Sequence, residues 1–314
     1  MEIQQLRYFV SAAETGSMSR AADRCRVSQP TLSQQVRRLE ASLGHALFDR
    51  LGRGVALTPA GRALLPRARR VLSELDEARG GLDEAVAGGA GRLRLGAIPT
   101  IAPYVLPAVV SRLRRRMPMA SVEIEESLTE SLVERLLAGE LDAAIVSTPI
   151  DADGVELRVL GSEPMLVVSP GGRAASGRLA LTPGSGGVTL GDLRGRPRVA
   201  LHEMHCLGRQ ISGFCGLRRI GGEVACRTAQ LSTLLEFVRL GMGLSIVPEM
   251  AAASDRAEGR RYARFQRGGP TREIALATPR GRTAHAGVGA LADLVRERLT
   301  ELRESAAERL NDAR

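Results

Sequence analysis

A glycine-rich break, Gly88-Gly89-Ala90-Gly91, separates two stretches of chain whose hydrophobic patterns have different periods. Before it, apolar residues recur at helical spacing. After it, short apolar runs that read as strands alternate with helical segments. Elements with different periods bury different faces, so the break predicts separately folded parts. The expected division is a first domain over 1–58, a linker helix over 59–91, a larger α/β domain over 92–302 and a polar tail over 303–314 that frays.

Three helices are expected in the first part. Residues 2–15 place Ile3, Leu6, Phe9, Val10 and Ala13 on one face, and Gly16 ends the run. Ser17 caps a short helix, Met18–Cys25. Ser28 caps a third, Gln29–Leu43, with Pro30 in the first turn, where its missing N–H does no harm. Leu32, Val36, Leu39 and Leu43 form its apolar stripe, and Gly44 stops it. The opposite face carries Gln29, Thr31, Ser33, Gln34, Arg37 and Arg38. These are short or fork-shaped donors near a helix N-terminus, suited to base edges and phosphates in a major groove. Leu47–Arg50, a Gly52-Arg53-Gly54 tip and Val55–Leu57 then read as a two-stranded wing, with Arg53 as the cation at its tip.

The chain carries a net charge of +9, and residues 1–70 hold most of it, with twelve Arg against five Asp and Glu. Basic charge concentrated in one part points to nucleic acid or an anionic surface as its partner. Every apolar run breaks well short of the ~20 residues that span a bilayer, so no membrane role is expected and the chain is read as cytoplasmic. From Pro59 a long helix runs toward Ala87. Ala68, Leu72, Leu75, Leu82 and Val86 form a stripe at steps of three and four that calls for a partner helix, so dimerisation is expected. Pro66 is expected to kink it.

From Arg92 the reading is α/β, in two subdomains linked by crossovers near residues 160–163 and 263–266. Strands are expected at Arg92–Ile98, Val122–Glu126, Leu141–Ser147, Met165–Ser169, Arg198–Leu201, Leu244–Val247 and Ile274–Ala277. Helices are expected at Tyr104–Met117, Thr129–Ala138, Gln230–Leu240 and Gly287–Leu299.

Several segments together resemble the LysR-type regulators. They are Ala21-Ala22, Val27–Ser33, Gln35–Glu40, Leu43-Gly44, Leu47–Arg50 and Leu57–Gly61. The resemblance implies a winged helix-turn-helix, a dimerising linker helix and a two-lobed effector domain like a periplasmic binding protein. It implies DNA contacts through Ser28–Arg38, with Ser28 and Pro30 among them. The partners it implies are double-stranded operator DNA, further copies of the chain in a dimer of dimers, and RNA polymerase. It implies neither enzymatic turnover nor a cofactor.

The second half is similar to the peroxide-sensing branch of that family. The similarity rests on Gly96–Thr100, Pro103–Pro107, Leu128–Glu130, Glu163–Leu166 and above all His205-Cys206-Leu207 … Gln210 … Gly213-Phe214-Cys215. It implies that Cys206 attacks the peroxide and Cys215 closes a disulfide. Thr100 and Thr129 would line the pocket, with His205 assisting and Arg272 as a cation. The position after Leu207 is often charged in that branch, whereas Gly208 stands here. Cys226 is an additional thiol, and Cys25 reads as core of the first domain.

Peroxide chemistry needs a thiolate to attack the O–O bond and a second thiol to trap the sulfenic acid. If residues 206–215 are helical, nine steps of ~1.5 Å put the two Cα atoms roughly 13 Å apart. A disulfide needs them within about 7 Å, so oxidation would have to unwind the segment. Two alternatives remain open. One is a LysR-type regulator answering a small metabolite in the interlobe cleft. The other is a metal-binding regulator using His202, His205, Cys206, Cys215 and Cys226, although their spacing matches no zinc motif. The chain holds no nucleophile elbow or phosphate-binding glycine loop to support an enzymatic reading.

Overall fold

The computed structural model describes residues 1–50, 54–87, 92–175, 177–179, 181, 187–281 and 286–312. The chain forms two compact units. One is Met1–Arg92 with Glu134–Leu141, and the other is Leu93–Val133 with Asp142–Arg314.

The first unit opens with three helices, α1 (Ile3–Thr15), α2 (Met18–Cys25) and α3 (Gln29–Leu43). Each expected cap is in place. The Ser17 hydroxyl accepts from the Arg20 N–H, and the Ser28 hydroxyl accepts from the Thr31 N–H. Gly16 and Gly44 close α1 and α3 in the left-handed conformation. Leu6, Phe9, Ala21, Leu32, Val36 and Leu39 form the core where the three helices meet. Fully burying a Leu such as Leu32 is worth about 1.5–3 kcal/mol. Cys25 packs against this core as expected.

The wing is the antiparallel pair β1 (Phe48–Arg50) and β2 (Val55–Leu57), with Phe48 opposite Leu57. The Phe9 and Phe48 rings meet at 5.4 Å and tie the wing to α1. Gly54 has φ 96°, and a Cβ there would sit 2.5 Å from the Gly16 carbonyl oxygen. That contact admits only glycine. Arg53 lies outside the described residues, as does the rest of 51–53.

Helix α4 (Pro59–Ala87) starts under a Thr58 cap, whose hydroxyl accepts from the Gly61 N–H at 3.0 Å, and runs through Pro66. One expectation needs correction. Ala68 is buried and Leu72 half-buried against the unit's own core. The start of the stripe expected to dimerise is therefore used within the monomer. Val71 is 43 % exposed. Leu75 falls four residues on, along the same helical face.

The second unit contains two lobes. Lobe one has the strand order β4 (Ser121–Glu126), β3 (Arg92–Ala97), β5 (Ala143–Ser147), β11 (Thr271–Pro279) and the first half of β6 (Val155–Pro170). Helix α5 (Ala102–Arg116) and the start of α6 (Thr129–Leu137), as far as Val133, belong to it. In lobe two the second half of β6 pairs with β9 (Ser245–Pro248) and β10 (Arg260–Arg264). A bridge between Arg198 and Leu244 continues to β7 (Arg198–Leu201), which pairs in parallel with β8 (Val224–Thr228). The helices here are α7 (Leu190–Leu193), α8 (Cys206–Leu217), α9 (Leu231–Arg239) and α10 (Glu249–Ser254).

Strand β6 is longer than the expected Met165–Ser169. Its first half pairs with β11 through Val155–Pro164, so the chain crosses between lobes inside one continuous strand. Polar residues such as Glu156, Arg158 and Glu163 hide that half from a hydrophobic pattern, while the backbone ladder still fixes it. The expected fraying tail is also corrected, because α11 (Ala286–Asp312) continues past Thr300. Leu302 and Ala306 are buried, Leu310 packs on the lobe-two core and Arg309 lies 5.9 Å from the Tyr262 ring. Residues 302, 306 and 310 repeat at helical spacing, a stripe too sparse to stand out in a polar segment. Among the described residues no helix is long and apolar enough to cross a membrane.

Candidate functional site

Two groups of residues carry chemistry, one in each unit. On α3 the side chains of Ser28, Gln29, Pro30, Thr31, Gln34, Arg37 and Arg38 are exposed. Ser33 is buried, and its hydroxyl accepts from the Gln29 amide at 2.8 Å. Arg37 Nε donates to the Ser33 carbonyl at 3.3 Å, which leaves the outer guanidinium nitrogens at the surface. Ser33 therefore positions Gln29 rather than offering a surface contact of its own. The Ser28 and Thr31 hydroxyls lie 2.7 Å apart at the helix start, where unpaired N–H groups favour anions.

The second group is assembled around the first turn of α8. Cys206 is the first residue of that helix, half-buried, and His205 is its extended N-cap. His205 is buried and its Nε2 has no hydrogen-bond partner. The Thr129 hydroxyl, at the start of α6, is likewise buried without a partner. Orphaned buried groups of this kind cost about 1–3 kcal/mol each unless a water or ligand satisfies them. Arg209, three residues after Cys206, donates to Glu130 beside Thr129 at 2.7 Å. Gln210 donates to the Thr271 carbonyl beside Arg272 at 2.7 Å. The first turn of α8 is thereby tied to the elements that carry Thr129 and Arg272.

Arg272 and Thr100 meet directly. Arg272 is fully buried on β11, and its Nε donates to Glu163 at 2.6 Å. One terminal nitrogen donates to the Thr100 hydroxyl oxygen at 3.0 Å, and the other to the Thr100 carbonyl at 3.1 Å. The second Glu163 oxygen accepts from the Met250 N–H at 2.9 Å. Because Thr100 Oγ1 already accepts from Arg272, its own hydrogen is left to donate elsewhere. Arg272 is thus a neutralised clamp on Thr100, rather than a lone cation facing a thiol. Glu163 is the residue whose role the sequence reading missed; the signal was that a buried Arg requires a counter-charge.

Cys215 sits on the same helix as Cys206, nine residues on, and is buried in the lobe-two core. Burial pushes its thiol pKa up, and the Arg198 charge from β7 opposes that rise. Both thiols are free, and the helix between them keeps them beyond disulfide reach. Gly208 explains the departure at that position. A Cβ there would lie 2.3 Å from the His202 carbonyl oxygen, so α8 docks on the preceding loop through a bare Cα. Cys226, on β8, packs partly against the same core. Among the described residues no three His, Cys, Asp or Glu side chains converge as a metal site requires.

The description "Bacterial regulatory helix-turn-helix protein, lysR family" matches residues 3–62, and "LysR substrate binding domain" matches residues 87–300. The chain belongs to the LysR family. Among curated relatives, a protein of Dickeya chrysanthemi named hydrogen peroxide-inducible genes activator is 34 % identical, over 95 % of this chain and 96 % of that one. A full-length OxyR cysteine variant from Pseudomonas aeruginosa superposes with a TM-score of 0.73 at 30 % identity, over 94 % of this chain and 95 % of that one. A peroxide-bound OxyR mutant from Corynebacterium glutamicum gives 0.63 at 31 % identity, covering 98 % and 95 %. Family and relatives are transcription regulators rather than enzymes.

Proposed function

We propose that this LysR-family protein is a cytoplasmic, peroxide-responsive transcription regulator that binds operator DNA through α3 and the wing. The observation that carries the reading is the placement of Cys206 and Cys215 on one intact helix, with Cys206 at its N-terminal turn, which has no side-chain cap. The Cys206 thiolate attacks one peroxide oxygen. The O–O bond breaks, hydroxide leaves and is protonated to water, and Cys206 becomes a sulfenic acid. The Thr100 hydroxyl, with its acceptor site filled by Arg272, donates to the peroxide, and Thr129 and His205 supply the remaining polar partners. The α8 helix then unwinds. The Cys215 thiolate attacks the sulfenic sulfur, forming the disulfide and releasing hydroxide. This is an oxidation event, not enzymatic turnover. The names of the relatives, each tied to hydrogen peroxide or OxyR, support the same signal.

The proposed division is DNA binding over 1–58, linkage and dimerisation over 59–91, and sensing beyond. The dimer uses the outer face of α4, and two dimers assemble on the operator, from which the protein contacts RNA polymerase. Glu substitution at Val71 and Leu75 together then yields monomers in analytical ultracentrifugation. The peroxide reading is tested by residue-resolved mass spectrometry after a low peroxide dose. Wild type shows the Cys206–Cys215 disulfide, Cys206→Ser shows no response, and Cys215→Ser accumulates sulfenic and then sulfinic acid at Cys206. Thr100→Val slows Cys206 oxidation and leaves DNA affinity unchanged. First modification at Cys226, or a normal response in Cys206→Ser, would overturn the reading in favour of a metabolite-sensing regulator.

A further inference from the structure

Lobe two holds a cavity that none of the residues of the Thr100–Arg272 clamp lines. It measures about 310 Å³ and opens between α8 and the strands β7 and β8. Its polar wall is made by Arg198, Glu203, Ser212, Arg219 and Arg227. Arg227 is held by Glu203 at 3.1 Å, so their charges cancel. Neither Arg198 nor Arg219 has an ion-pair partner among the described residues. Arg198 Nε is buried with no hydrogen-bond partner. Apart from the Cys215 thiol beside it, the Arg198 guanidinium faces no acceptor that matches it as a carboxylate does in shape and charge.

The rest of the lining is apolar. Leu201, Ile211, Ile220 and Val224 face the cavity. A smaller space of about 40 Å³, lined by Leu193, Val199, Leu244 and Ile246, shares the Arg198 and Cys215 walls. Inorganic phosphate would satisfy the guanidinia and leave this apolar surface unfilled, whereas an acid with a hydrocarbon body fills both.

We propose that this cavity binds a small carboxylate with an apolar body, an aromatic or branched aliphatic acid. Its carboxylate lies on Arg198 and Arg219, and its hydrocarbon end points toward Leu193, Val199 and Leu244. Such a ligand sits between α8 and β7, covers Cys215 and fits only the helical form of α8. On the reading that oxidation unwinds α8, the ligand opposes the switch by mass action. At a hundred times its Kd it reduces the unwound population about a hundredfold.

The test uses full-length reduced protein with benzoate, isovalerate and inorganic phosphate as probes. Calorimetry and residue-resolved alkylation of Cys215 are both read without peroxide, so their outcome does not depend on the peroxide reading. The expected result is saturable binding of benzoate or isovalerate at one per chain, with protection of Cys215 and no saturable phosphate binding. Arg198→Met, which keeps the apolar stem, weakens binding by about tenfold or more, as loss of a charge-assisted hydrogen bond should. Arg219→Ala, a surface change that leaves the core intact, weakens it too. A peroxide arm then shows slower disulfide formation with ligand present. Absence of saturable binding, binding of phosphate alone, binding without Cys215 protection, or unchanged affinity in both variants would overturn the proposal. If the acids bind and protect Cys215 but no disulfide ever forms, the peroxide reading fails and this site stands.

Discussion

The Arg272 clamp and helix α8 are neighbours in the second unit, but they are built on opposite principles. The clamp is buried and its charges are paired. Arg272 is buried with Glu163, and four hydrogen bonds link the pair to Thr100 and Met250 or to each other. Helix α8 is held at its start by exposed contacts, Arg209 to Glu130 and Gln210 to the Thr271 carbonyl. Exposed pairs of that kind contribute little. The helix also carries three glycines in twelve residues, Gly208, Gly213 and Gly216. Each costs up to about 1 kcal/mol of helix stability relative to Ala. A rigid frame that holds the peroxide-facing hydroxyl beside an element that unwinds at modest cost is the division of labour a switch requires.

The largest effect should come from the frame. Arg272→Met leaves Glu163 buried and unpaired, and about 3–5 kcal/mol of stability should be lost in urea unfolding. Adding Glu163→Leu should recover part of that loss. If the single variant were as stable as wild type, the clamp would not be the rigid partner in this comparison.

Gly208→Ala should come next. Its Cβ would meet the His202 carbonyl, and relieving that contact should cost the docked helix about 1–3 kcal/mol. Hydrogen exchange should then rise along α8 while the clamp stays protected. Disulfide formation after peroxide should be faster than in wild type.

Gly213→Ala acts with the opposite sign. Nothing lies within 4 Å of a Cβ at that position, so the substitution adds helix propensity without a clash. It should stabilise α8 by about 0.5–1 kcal/mol and slow disulfide closure about two- to fivefold, leaving the rate of Cys206 sulfenic acid formation unchanged. Equal closure rates in the two glycine variants would show that unwinding of α8 does not limit the switch.

The smallest effect is a pH dependence. The Cys215 thiol is raised in the folded state, so folding favours its protonated form. Its contribution is fully present below the unfolded thiol value, about 8.5. It is lost as pH rises from there through the higher folded value, because the unfolded chain releases the proton first. Reduced wild type should lose stability over that range relative to Cys215→Ala. A difference between the two that does not change with pH would remove burial of the thiol as a force holding α8 down.

Local order was legible in the sequence because it is written in local chemistry. The caps Ser17 and Ser28, the left-handed stops Gly16 and Gly44, and the stripes of α1 and α3 depend on residues a few positions apart. The same holds for the thiol pair, since nine residues of helix separate two side chains by an amount arithmetic supplies. What depended on distant partners was not legible. The first half of β6 is a strand because β11 completes its ladder, and the end of α11 is ordered because lobe two offers a surface to Leu310. Ala68 and Leu72 read as a dimer seam until the α1–α3 core claimed them. Arg272 read as a cation of the peroxide pocket until Glu163, 109 residues away, neutralised it. Periodicity and capping are properties of a segment, whereas burial and pairing belong to two segments at once, and only the folded chain decides which segments meet.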